Sequence, residues 1–357
     1  MHDLFDESAI RTLPKVVLHD HLDGGIRVST LIELAAAKRV ALSSQDPEEL
    51  QAWIVEECSG SLDQYLIVSD LMVKLLTGDA EALQRVGREF AHDLAADGIV
   101  YAEVRWAPEE MATRGLTISD ALAAVTAGLD AGVAEVSAQG RQLHIEQILC
   151  AIRTGTRSLE IARLALAHRG KGVVAFDLAG AEAGHSAEDH RSALDLLKRE
   201  GMPVTLHAGE ADGPASIRSA VETGGAARIG HGVRIMEDIA DDDQLGPTAT
   251  LIRDSGIALE ICPRSNMQTG ASASPLVRHP FDRLQRLGFR TTVSTDNRLL
   301  SGTTLSDELF DLARVFGYAF EDIVQLQLAA AEVAFISSAE RAALRMSIRA
   351  GASAIAR

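Results

Sequence analysis

Residues 16–25 read VVLHDHLDGG: three apolar residues, two histidines one residue apart, then Asp23 and two glycines. Val16 and Val17 are β-branched and favour an extended chain. Side chains alternate along a strand, so His19 and His21 share one face while Asp20 points the other way. A strand ending in two same-side histidines raises the question of what else reaches that end.

Seven further short apolar runs follow, each bounded by glycine, proline or polar residues: 100–107 (VYAEVRWA), 144–152 (HIEQILCAI), 172–179 (GVVAFDLA), 203–209 (PVTLHAG), 227–232 (ARIGHG), 257–263 (IALEICP) and 290–296 (RTTVSTD). Segments of helical period lie between them, for example 187–201 (AEDHRSALDLLKREG) and 214–225 (PASIRSAVETGG), both closed by glycine. Buried strands alternating with helices predict an α/β fold with a parallel sheet and right-handed crossovers. Eight strands are the number that closes a (β/α)8 TIM barrel. Extra helices are expected after strand 1, within 22–99 and partly over the barrel mouth, and again in the C-terminal tail, 305–357. An open doubly wound sheet is the alternative. No low-complexity linker or internal repeat divides the chain, so residues 1–357 are read as one domain.

The 357 residues are 46% hydrophobic, enough for a large core. The net charge of −17, from 34 basic and 51 acidic residues, disfavours nucleic acid, whose phosphates need a basic surface. No apolar run reaches the ~18 residues of a membrane helix. The opening residues, MHDLFDESAIRTLPK, lack the apolar centre of a signal peptide. No membrane partner is therefore expected, the predicted location is cytoplasmic, and the oligomeric state leaves no mark. Cys58, Cys150 and Cys262 are far apart and form no CxxC pair, which suits free thiols in a reducing compartment. Asp241-Asp242-Asp243 lacks the glycine and glutamate of a calcium loop and reads as a solvated helix end.

In a β/α barrel the C-terminal strand ends form one face, where active sites lie. The first run ends in His19 and His21, and the fifth in His207, with Glu210 three residues on (HAGE). The sixth ends in His231 (GHG) and the eighth in Asp296 (VSTDN). Four separated segments thus converge on one pocket. Three or four nitrogen and oxygen ligands with an open position describe catalytic zinc, and a set without thiolate also admits iron, cobalt or manganese. His92, His144, His168, His185, His190 and His279 have no such companions and read as structural or surface residues. No GxxxxGK[ST] loop, HExxH, GxSxG or paired H-x-E and PCxxC motif is present.

The stretches PKVVLHDHLDGG, YAEVRWAP, FDLAGAE, HAGE, RIGHG, ICPRSNMQTGA and VSTDNRLLSGTTLSDE, in that order, resemble the adenosine deaminase family over nearly the whole chain. The resemblance implies a zinc-dependent amidohydrolase barrel. It also implies hydrolysis of the 6-amino group of adenosine and 2′-deoxyadenosine to inosine or 2′-deoxyinosine plus ammonia. It implies one Zn²⁺ held by His19, His21, His207 and Asp296, with His21 also bordering the substrate. Glu210 matches the acid that protonates purine N1, and His231 the histidine beside the metal-bound water. Asp23 matches the residue binding the ribose 5′-hydroxyl, and Gly180 the backbone donor to purine N3. The implied partner is a small purine nucleoside.

Two positions depart from the family pattern. Asp20 stands where an apolar or small residue is common. Asp296-Asn297 replaces a pair of aspartates, so Asn297 takes the place of the carboxylate that contacts purine N7. The alternative substrate is another 6-aminopurine: adenine, or a 5′-modified nucleoside such as aminofutalosine. Adenine deaminases of this family tend to carry Glu where Asp23 stands, which favours nucleosides. A binuclear hydrolase on the same barrel would need a lysine on the fourth strand, and VVAFDLAGAE supplies none.

Overall fold

A computed structural model describes residues 7–355. The expected strands are present as β1 (Lys15–His21), β2 (Ile99–Trp106), β3 (His144–Ile152), β4 (Val173–Ala179), β5 (Thr205–Ala208), β6 (Arg228–His231), β7 (Ala258–Ile261) and β8 (Thr291–Val293). They form two parallel four-stranded sheets, β1-β2-β3-β4 and β5-β6-β7-β8. Single parallel bridges span both seams, Phe176 to Val204 and Asp20 to Asp296. At the second seam the His21 N–H donates to the Asp296 carbonyl (2.7 Å) and the Asp296 N–H to the His19 carbonyl (3.0 Å). The architecture is a (β/α)8 TIM barrel whose hydrogen-bond ladder thins at two seams.

Strands β5 to β8 are shorter than their apolar runs because the backbone leaves the ladder early. Gly209, His231 and Asp296, at or just past the ends of β5, β6 and β8, have φ of +73°, +63° and +59°. For the two non-glycine residues this region is uncommon, and it turns each side chain where a continuing strand would not.

Between β1 and β2 lie the helices Val28–Lys38, Pro47–Glu57, Leu62–Leu76 and Ala80–Ala96. Asp46, Ser61 and Asp79 cap the last three by accepting backbone N–H bonds. Leu62–Leu76 lies over the barrel mouth. The tail forms Leu305–Phe316, Phe320–Val333 and Ser338–Ile355. Residues 1–6 of the acidic opening and 356–357 of the tail lie outside the described residues.

Two expectations are corrected. Helix Ile118–Ala138 is long and apolar enough, by length and composition, to cross a membrane. Asp120, Asp130 and Glu135 interrupt its apolar residues and hide it from a search for unbroken runs. Here it packs closely on Ala80–Ala96: a Cβ on Gly128 would fall 2.1 Å from the Gln84 carbonyl oxygen, and one on Gly132 2.6 Å from that of Arg88. Asp241–Asp243 is no helix end. It is the exposed turn between the bridged residues Ile239 and Leu245, with Asp243 at φ +67°. Aspartate tolerates that conformation better than most residues.

The barrel interior carries a charged layer that the sequence reading did not single out. Arg105 reaches Asp177 Oδ2 (2.8 Å) and Glu260 Oε2 (2.6 Å), and Arg228 reaches Glu260 Oε1 (2.6 Å) and pairs with Glu103. All five side chains are buried. The signal was one or two charged residues inside each of several apolar strands, as in AEVRW, FDL, RIG and LEI.

Candidate metal centre and active site

The C-terminal strand ends bring together the side chains that the sequence singled out. One ligand atom from each of His19, His21, His207 and Asp296 lies within 4.8 Å of all the others. His21 Nε2 is 3.3 Å from His207 Nε2, and Asp296 Oδ1 is 3.3 Å from the Nε2 atoms of both His19 and His21. β1 supplies two of these side chains by strand alternation, β5 the third, and the left-handed turn after β8 the fourth. A Cβ on Gly230 of β6 would meet the His19 ring at 3.1 Å, so the glycine admits that ring to the centre.

The donor set fits a divalent metal. His19 Nε2 is buried without a hydrogen-bond partner. The opposite nitrogen of that ring, Nδ1, contacts Glu260 Oε2 at 3.1 Å, and His207 Nδ1 contacts Asp177 Oδ2 at 2.9 Å. Carboxylates on the far nitrogen fix ring orientation and tautomer and leave Nε2 free to ligate. Ser265 Oγ donates to Asp296 Oδ2 (2.6 Å), which leaves Oδ1 facing the imidazoles.

Burial pushes both His21 and His231 well below the usual imidazole range, so both are held neutral. Burial alone would raise the Asp296 pKa, but the hydrogen bond from His19 leads the interactions that outweigh it and hold the carboxyl well below its usual range. Glu210 behaves oppositely. Burial, then Asp296 and Glu182, push it well above the usual carboxylate range. Its Oε2 lies 3.5 Å from His231 Nε2. The Asn266 oxygen accepts the Cys262 N–H (3.3 Å), so its NH₂ is the group facing His231 Nδ1 (2.9 Å). That donor makes Nδ1 the acceptor and places the ring proton on Nε2, toward Glu210.

A cavity of about 280 Å³ opens above this cluster. His21, Asp23, Gly180, His207, Glu210, His231, Asp296 and Asn297 line it, with Tyr65 and Leu66 from the helix over the mouth. Asp20 is buried and does not line this cavity, as strand alternation predicts. His92 and His144 pair with Glu135 and Glu146, and His190 contacts the Arg153 carbonyl oxygen. The buried His279 accepts from Phe281 N–H. These four histidines, with His168 and His185, stand apart from the cluster.

Residues 14–350 match the profile of the family described as adenosine deaminase. The chain belongs to the adenosine deaminase family. It is 45% identical over 347 residues to the adenosine deaminase of Mycobacterium ulcerans, covering 96% of this chain and 95% of that one. It is also 45% identical over 341 residues to adenosine deaminase 1 of Streptomyces coelicolor, covering 94% and 86%. Among solved structures, the Arabidopsis N6-mAMP deaminase superposes with a TM-score of 0.82 at 28% identity, covering 96% of this chain and 99% of that one.

Within this adenosine deaminase family member, the supports of the site were the residues the sequence reading missed. Glu182 accepts the backbone N–H groups of Gly209, Glu210, Ala211 and Asp212, and so folds the HAGE turn around one carboxylate. Arg153 donates to the carbonyl of His207 and to that of His185 (2.8 Å). Glu182, Ser265 and Asn266 fall inside stretches quoted for the resemblance, but no spacing rule marks a residue that acts on a neighbour's backbone or ring.

Proposed function

We propose that this chain hydrolyses adenosine and 2′-deoxyadenosine to inosine and 2′-deoxyinosine, releasing ammonia, as one cytoplasmic catalytic domain with one Zn²⁺. The observation that carries the reading is the His19–His21–His207–Asp296 cluster set beside a carboxyl group, Glu210, whose burial beside Asp296 and Glu182 pushes it toward the protonated form. When bound by these four residues, a divalent ion supplies Lewis acidity and lowers the pKa of a bound water from about 15.7 to about 7.

The remaining chemistry belongs to the chain. Water adds at purine C6 and pushes charge onto N1; one water proton passes to N6, the C6–N6 bond breaks to release ammonia, and the C6 hydroxyl returns its proton to Glu210 to leave the product carbonyl. Glu210, as the neutral acid, donates its proton to N1. His231, with its proton on Nε2, orients the attacking water by a hydrogen bond. The Gly180 N–H is assigned to purine N3, Asp23 to the ribose 5′-hydroxyl and Asn297 to N7. The helix Leu62–Leu76 covers the cavity and excludes bulk water. Unpaired, buried Cys58, Cys150 and Cys262 suit a reducing compartment.

The test is the ultraviolet spectrum of purified protein mixed with adenosine, 2′-deoxyadenosine, adenine and a 5′-modified nucleoside, beside elemental analysis after dialysis. Fast spectral change with the first two and close to one zinc per chain are expected. Turnover of adenine alone, or two metals both needed for activity, overturns the reading.

A further inference from the structure

Asp20, one of the two departures from the family pattern, meets the turn after Asp296 in space. Asp20 lies between His19 and His21 on the opposite face of β1 and is buried. Its Oδ2 is 2.9 Å from Nε of Arg298, two residues beyond Asp296. Neither atom has hydrogen-bond geometry, so the contact is an ion pair. The Arg298 guanidinium carbon sits 4.2 Å from the ring centroid of Phe90, and Nη1 is 4.0 Å from Asp93 Oδ2. A Cβ on Gly25 would fall 2.3 Å from Phe90 and 2.6 Å from Arg298 Nη2, so the glycine makes room for the stack.

This pair spans the thin β1–β8 seam, where Asp20 and Asp296 form one bridge instead of a ladder. Behind it lies a cavity of about 310 Å³, lined by Asp20, Arg298, Asp93, Asp97 and Arg11 among others. Close apolar packing therefore does not hold the seam there. Asp296 also sits at φ +59°, a conformation that persists only where the surroundings over-determine it.

We propose that the Asp20–Arg298 ion pair is a positioning device: a clamp on the outer side of the seam that holds His19, His21 and Asp296 in register for the metal. The inference rests on reading that cluster as a metal site. The clamp acts through the backbone, because Asp20 fixes the strand carrying two ligands and Arg298 fixes the turn carrying a third.

The experiment follows metal release from the zinc-loaded protein into a chromophoric chelator, for Asp20→Asn, Arg298→Met, their double variant and Arg298→Lys. Thermal midpoints of the metal-free proteins and hydrogen exchange at the His21 and Asp296 amides accompany it. Groups supporting a ligand shell change metal affinity by typically 10–100-fold. Asp20→Asn and Arg298→Met should each speed release by about tenfold or more. The double variant should be no faster than either single one, Arg298→Lys should recover much of the loss, and both amides should exchange faster. Lower thermal midpoints with wild-type release and exchange would mean the pair serves folding only and would overturn the clamp. So would additive effects in the double variant. A wild-type chain that retains no metal would overturn the metal reading itself, a result distinct from wild-type retention with unaltered variants. If Asp20→Asn does not fold, the comparison of Arg298→Met with Arg298→Lys decides alone.

Discussion

Two clusters of buried ionisable groups share the barrel interior. In the Arg105–Asp177–Glu260–Arg228–Glu103 layer every charge faces an opposite one, and burial is offset by pairing. Glu260 stays ionised because Arg105, Arg228 and His19 outweigh its burial. In the cluster above it, His19, His21, His207, His231, Asp296 and Glu210 crowd together with no lysine or arginine lining their cavity. The clusters touch at two carboxylates: Glu260 serves Arg105 and His19, and Asp177 serves Arg105 and His207. The paired layer fixes the imidazoles of His19 and His207, while the groups of the upper cluster stay free of lysine and arginine partners among the described residues. Local rules of polar satisfaction fail at this cluster, as they do at sites that take a partner from outside the chain.

Arg105 is where that comparison can be broken most severely. Arg105→Met leaves Asp177 and Glu260 buried beside one fewer cation. Removing one partner of a buried ion pair costs about 3–5 kcal/mol. Denaturant unfolding of the metal-free protein should show a loss of that size. The metal should also be held less tightly, since both carboxylates orient ligands. A loss below about 1 kcal/mol, the range of an exposed pair, would mean that the layer is not the fold's electrostatic support.

Glu210→Gln should separate the clusters next. General acid catalysis contributes typically about 10²–10⁴-fold, so turnover should fall in that range with the metal retained. Stability should move the other way. Glu210 has a raised pKa in the folded state, so between its unfolded and folded values the native chain holds a proton that the unfolded chain has released. Its contribution is then full below the unfolded pKa and is lost as pH rises through the folded one. Asp177 and Glu260 have lowered values, so theirs is present above the unfolded pKa and lost as pH falls. The metal-free Glu210→Gln protein should therefore be more stable than wild type at neutral pH and equal to it in acid. Equal stability at both would place Glu210 in water rather than in a dry pocket.

The same contrast explains what the sequence disclosed. All eight strands and the upper cluster were legible because strand alternation and strand-end position are local rules, and His19, His21, His207, Glu210, His231 and Asp296 obey them. The lower layer was not. Asp177, Arg228 and Glu260 each stand alone in an apolar run, Glu103 and Arg105 share another, and only the barrel brings β2, β4, β6 and β7 close enough to pair them. Helix Ile118–Ala138 escaped notice because Asp120, Asp130 and Glu135 break its apolar run, while its packing rests on Gly87, Gly128 and Gly132 meeting across two helices. The turn at Asp241–Asp243 was misread because three acids describe exposure and not backbone conformation.

Asn297 offers the finest test, since the proposed function gives it a contact with the base and no part in the metal site. A Cβ on Gly24 would fall 1.9 Å from the Asn297 amide oxygen, so that oxygen lies against Gly24, and the side chain also hydrogen-bonds Tyr65. Purine N7 only accepts hydrogen bonds. A carboxylate in this place would have to carry a proton, whereas an amide donates at any pH. Removing such a neutral bond costs about 0.5–1.5 kcal/mol, more if its partner is left buried and unpaired. Asn297→Ala should therefore lower kcat/KM for adenosine by that amount, while 7-deazaadenosine, which lacks the acceptor, should be far less affected. The two substrates on the two proteins make a double-mutant cycle whose coupling energy isolates the N7 contact. Equal losses on both substrates would assign Asn297 instead to holding the Asp296 turn, where it precedes the short helix Arg298–Ser301 and packs on Gly24. In that case metal release should quicken with the loss of activity, as it should not if the amide reads only the base.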